Sequence, residues 1–123
     1  MMDVVIVGPC GAGKSTLADA LSAQGYRARA VAQEHSIIPD LWQHGGRPAA
    51  LILLEAERST IIRRRGGDFP EWLLEQQRER LASARAHADL VLCTDEAAPE
   101  EVAGQVVAYL QAVGINPTAM RET

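Results

Sequence analysis

Residues 8–15, GPCGAGKS, hold the densest concentration of chemistry in the chain. Gly8, Gly13, Lys14 and Ser15 match G-x-x-x-x-G-K-[ST], the spacing of a phosphate-cradling loop. Gly8, Gly11 and Gly13 permit positive φ and leave room for main-chain N–H groups to point at anionic oxygens. A helix opening at the end of the turn adds unpaired amides and about half a positive charge. Lys14 extends toward the outer phosphates, and Ser15 offers a hydroxyl to Mg2+. The expected phosphate-binding set is Gly8, Pro9, Cys10, Gly11, Ala12, Gly13, Lys14, Ser15 and Thr16. Cys10 reads as a small filler, although a thiol beside a helix N-terminus is open to acidification.

That loop works only if a strand delivers it and a helix receives it. Residues 3–7 form a short apolar run suited to a buried parallel strand. Residues 14–24 follow a helical pattern with Leu17, Ala20 and Leu21 on one face and Gly25 as its stop. Residues 26–32 alternate Arg27 and Arg29 with small or apolar residues, as an edge strand would. Residues 33–48 show no period beyond one turn near 40–43, and so long a connection in a small domain is functional or mobile. ALILL at 50–54 predicts a central strand, and 56–65 a helix ending in RRRGG. Residues 68–88 predict the longest helix, with Asp68 and Glu71 as a capping box and Leu74, Gln77, Leu81, Ala84 and Ala88 on one stripe. A fourth strand at 88–93 and a last helix at 99–113 follow, the latter with Pro99 near its start and Val102, Val106, Tyr109, Leu110 and Val113 inward. The tail, about 115–123, reads as loose.

Strands alternating with helices predict an α/β fold: a three-layer α/β/α sandwich on a short parallel sheet, residues 1–123 forming one domain. The 123 residues suffice for one core, and a 47% hydrophobic content excludes a disordered chain. Aromatics at 4% offer no base-stacking platform, and a net charge of −4 argues against a nucleic-acid partner. No run approaches the roughly 20 apolar residues of a membrane span. MMDVVIVG lacks the basic stretch of a secretory leader. Cys10 and Cys93 form neither a metal pattern nor a disulfide framework, so a cytoplasmic setting is expected.

The loop, ALILLEAERSTIIRRR, EWLLEQQRERLASARAHADLVLCTD and APEEVAGQVVAYL together resemble the small P-loop kinases of the shikimate and gluconate kinase type. The resemblance implies a P-loop NTPase fold in which Arg63 or Arg64, at the lid base, lies over the adenine face. It implies that Pro99, in the TDEAAP loop, closes the other side of the adenine. It also implies that Arg65, in the lid, reaches phosphates as a catalytic group. Three arginines closing a helix are equally what the helix dipole favours.

The departures are as informative. The family's extra strand and helices would fall within residues 33–49, which are too few to supply them. The usual acidic strand (Walker B) and the glycine-triplet acceptor motif go with that deletion. The second strand should then pair directly with the first, giving the order 2-1-3-4 and a ligand crevice at the strand ends where the winding reverses. Glu34, just past the second strand, would point toward Lys14 and Ser15 and replace the missing acid, through water on Mg2+ or as a base. A solvated loop carboxylate is the plainer alternative. Glu55 is its rival and also reads as a strand-to-helix capping acid. Arg78, Arg80 and Arg85 read as a solvated face. His35 and His44 pair with no cysteine or histidine at ligand spacing, so no metal site is expected there. Trp42 reads as a cover for the sheet edge.

Two functions remain open at this level. One is phosphoryl transfer from Mg-ATP to a small acceptor or to water. The other is a nucleotide-binding module that turns over slowly or not at all, acting with a partner. Nothing resembles the guanine-reading N-K-x-D, so ATP is preferred over GTP.

Overall fold

The computed structural model describes residues 3–117. The chain runs β1 (Asp3–Val7), α1 (Lys14–Ala23), β2 (Arg27–Ala30), β3 (Ala50–Glu55), α2 (Arg58–Arg65), α3 (Glu71–Arg80), α4 (Ala82–His87), β4 (Leu90–Cys93) and α5 (Pro99–Ala112). Two single 3-10 turns, Gln33–His35 and Leu41–Gln43, interrupt the connection from β2 to β3. All strand pairings are parallel, and the order is β2-β1-β3-β4 as expected. β1 and β3 lie in the middle, which is why their runs are apolar on both faces. β2 and β4 are edges with alternating or exposed residues.

Successive residues of the central strands enter two separate cores. Val4, Ile6, Ile52 and Leu54 pack with Leu17 and Leu21 of α1 and with Val102, Val106 and Leu110 of α5. Val5, Val7, Leu51 and Leu53 pack with Trp42, Leu81 and Ala84. Each fully buried Leu, Ile or Val contributes about 1.5–3 kcal/mol against leaving it in water.

Four details depart from the sequence expectation. The long helix over 68–88 breaks at Leu81, between α3 and α4. The break separates Leu74, in the first core, from Leu81 and Ala84, in the second. Asp68 makes no capping box: Pro70 precedes α3, and Asp68 pairs with Arg58 instead. Val113 is half exposed, whereas Ile115, expected in a loose tail, is buried in the first core. Residues 118–123 of that tail lie outside the described residues. Trp42 covers the sheet from within the second core, beside His87. Among the described residues no helix is long and apolar enough to cross a membrane.

Candidate functional site

The 8–15 loop leaves β1 at the point where the sheet order reverses, with β2 on one side and β3 on the other. Gly8 is required by proximity: a Cβ there would sit 2.6 Å from the Leu54 carbonyl oxygen. Its φ is not positive, which corrects the conformational reason expected from sequence. Gly11 and Gly13 do have positive φ, 76° and 102°, a region that other L-residues enter at a cost. A Cβ on Gly11 would also press on Ile61 of α2. Gly13 caps α1 without any side-chain hydrogen bond, and Ser15 and Thr16 stand exposed in its first turn.

Lys14 turns back across the loop. Its ammonium donates to the Pro9 carbonyl at 3.1 Å and pairs with Glu34 Oε2 at 2.7 Å. Glu34 is only 3% exposed, so the solvated-carboxylate alternative does not hold. Its neighbour Gln33 holds it there. Buried Gln33 donates through Nε2 to the Ile38 carbonyl and accepts the Trp42 N–H at Oε1, pinning the irregular connection on itself. α3 packs against the same turn and brings Arg80 within 3.5 Å of the Glu34 carbonyl oxygen. Lys14 answers one carboxylate oxygen; Oε1 is buried with no hydrogen-bond partner.

Cys10 is more than a filler. Gln77 grips it twice, accepting its N–H at 3.0 Å and donating to its Sγ at 3.2 Å. His35 Nε2 lies 3.3 Å from the same sulfur. The expectation that His35 meets no cysteine is therefore corrected in space: Cys10, Glu34 and His35 place donor atoms within 4.8 Å of one another.

On the other side of the loop a cavity of about 300 Å³ is lined by Ala12, Gly13, Thr16, Leu17, Leu54, Arg64, Thr94, Ala97, Pro99 and Val102. That is the lower end of the range for small-ligand sites. Of the three arginines, Arg64 lies at this cavity, donating to the carbonyls of Gly11 and Thr94 and to the Thr94 hydroxyl. Arg63 is exposed on the same helix, away from the lining. Arg65 lies over the Phe69 ring, 5.6 Å from its centroid, with its stem under Gly11. Buried Thr94 ties the parts together: its hydroxyl donates to the Ala12 carbonyl at 2.9 Å.

Glu55 ends β3 in a different state. Both of its oxygens are taken by Arg85, which is thereby not a merely solvated cation. The Arg85 hydrogen bond holds the Glu55 carboxyl below its ordinary value, against the opposing effect of burial. It caps nothing, since Glu57 precedes α2. Cys93 donates its thiol hydrogen to Asp95, which raises the thiol pKa.

Gln33, Gln77 and Thr94 were missed as site residues. Gln77 did leave a signal: a polar residue on an otherwise apolar stripe between Leu74 and Leu81 has to find a partner. Thr94 left none, because its partners are distant in sequence, and Gln33 left none, because its partners lie within the aperiodic 33–48 connection. No protein-family model matches the chain, and no curated protein matches it in sequence.

Proposed function

We propose that the chain binds Mg-ATP, with the triphosphate on the 8–15 loop and the adenine in the adjoining cavity. The observation that carries this reading is the continuity of the two: Ala12 and Gly13 of the loop, and Thr16 just beyond it in α1, form part of the cavity wall. Arg64, Ala97 and Pro99 all line the cavity, a guanidinium and apolar surfaces that suit a flat heterocycle. This supports the assignment to the P-loop nucleotide-binding fold and a likeness to shortened shikimate- or gluconate-type kinases. Gly11 and Gly13 bend the loop as an anion cradle needs, and Ser15 and Thr16 supply the hydroxyls for Mg2+. Mg2+ would neutralise charge on the phosphates when bound.

The residues of this chain then divide the work. Lys14 exchanges Glu34 and the Pro9 carbonyl for phosphate oxygens. Glu34, released from its lysine, orients water or accepts a proton. Arg65, next to Gly11, neutralises charge from the lid side. The reaction class is phosphoryl transfer to a small acceptor or to water, by positioning and charge neutralisation.

A second reading, a module that holds nucleotide with little turnover, is favoured by the 33–48 connection. Its Trp42 is committed to packing the sheet and its Gln33 to bonding the connection to itself, so it supplies no separate acceptor-binding unit. Purified protein titrated with Mg-ATP and Mg-GTP, then assayed for ADP and phosphate with a panel of hydroxyl compounds, tests both readings. Saturable ATP binding is expected. ADP without phosphate, dependent on one compound, identifies a kinase; equal release identifies an ATPase; binding without turnover identifies the module. No triphosphate binding overturns the proposal.

A further inference from the structure

We propose that Cys10, Glu34 and His35 form a binding site for a thiophilic divalent transition ion of the zinc class. Cys10 Sγ and His35 Nε2 are 3.3 Å apart, and His35 Nε2 and Glu34 Oε2 are 3.7 Å apart. Tetrahedral zinc, with bonds of about 2.3 Å to sulfur and about 2.0–2.2 Å to nitrogen and oxygen, sets its donor atoms about 3.4–3.6 Å apart. Two of the three separations match that spacing, and all three donor atoms lie within 4.8 Å of one another, so side-chain adjustment can close them on one ion.

Glu34 gives a second and independent indication. Its Oε1 is buried without a partner on a residue 3% exposed. An unanswered carboxylate oxygen at that depth is costly, and a cation that reaches Oε1 as well as Oε2 removes the cost. The thiol is also held in place. Buried Gln77 binds both the Cys10 amide and its sulfur, as the supporting hydrogen bonds around metal ligands do. His35, the exposed member, leaves a route from solvent. Sulfur, nitrogen and oxygen together favour Zn2+ over Mg2+ or Ca2+, which take oxygen donors. Three protein donors leave a fourth position for water. Because Glu34 Oε2 also holds Lys14, metal entry and release of that lysine are linked. The site is made without nucleotide, so it stands or falls separately from the phosphate reading.

The test uses the metal-free full chain, kept reduced with a phosphine and free of nucleotide. It is titrated with Zn2+ by calorimetry and with Co2+ by absorption. A single saturable ion and a thiolate-to-cobalt charge-transfer band are expected. Cys10→Ser should abolish the band and weaken Zn2+ binding at least about tenfold, the scale on which even supporting partners act. His35→Ala should weaken Zn2+ binding similarly, and Cys93→Ser should change neither. His35 is largely exposed, so its variant keeps the test decisive even where Cys10→Ser does not fold. No Zn2+ binding, a band that survives Cys10→Ser, or a band lost in Cys93→Ser overturns the site. Mg-ATP binding measured on the same samples separates the two proposals, since either can fail while the other persists.

Discussion

The two strands that flank β1 each end near an acidic residue, and the two acids are treated differently. Glu55, at the end of β3, is partly exposed and has both oxygens answered by Arg85. Glu34, just past β2, is buried, shares one oxygen with Lys14 and leaves the other unanswered. A carboxylate that is fully paired in a wet setting is a structural clasp. One that is dry, half paired and set beside the loop lysine stores interaction capacity for something else. Carboxylate chemistry alone does not distinguish them; burial and the number of answered oxygens do.

The largest expected effect comes from breaking the buried pair. Lys14→Ala leaves the Glu34 charge buried and should cost about 3 kcal/mol in denaturant unfolding, besides abolishing triphosphate binding. Adding Glu34→Gln to it should recover most of that stability, because the orphaned charge is gone. If the double variant is as unstable as the single, the Glu34 charge is not what the lysine compensates. Glu34→Gln alone should retain nucleotide affinity and lose turnover; an unchanged rate would remove its proposed role.

Gly8→Ala strikes between the two acids, since its Cβ would meet the carbonyl oxygen of Leu54, the residue before Glu55. Overpacking of that kind should cost about 1–3 kcal/mol and weaken nucleotide binding. A variant that melts and binds like the parent would show that the approach can relax. Thr94→Val removes the hydroxyl joining Ala12 and Arg64 and should cost about 1–2 kcal/mol, with looser adenosine binding measured by calorimetry.

The smallest effect belongs to the exposed pair. Glu55→Gln should cost less than about 1 kcal/mol at neutral pH. The pKa of Glu55 is lowered from its ordinary 4.5, so the pair stabilises the fold above that value and the contribution is lost as pH falls through the lower folded value. Acid titration of stability should therefore show parent and variant converging below about pH 4.5. Curves that stay parallel through that window would show the clasp contributes nothing.

Much of this molecule was legible before folding. The sheet order followed from the short 33–49 connection read against the resemblance to the small P-loop kinases, and the edge character of β2 from Arg27 and Arg29. Glu34 was already placed toward Lys14 on that topology. The break at Leu81 was not legible, because Leu74, Gln77, Leu81 and Ala84 make a continuous helical stripe whichever core receives them. The pairing of Cys10 with His35 was equally hidden, since ligand spacing along the chain says nothing of residues brought together by a crossover.

Local residue types and periods therefore determined the elements and the loop, because hydrophobic alternation and glycine geometry act within a few residues. Burial of Glu34, the choice of Arg64 over Arg63 at the cavity, and the assembly of Cys10, Glu34 and His35 were decided only in three dimensions. Those outcomes depend on solvent exclusion and on contacts between segments tens of residues apart, and neither exists until the sheet has closed its layers.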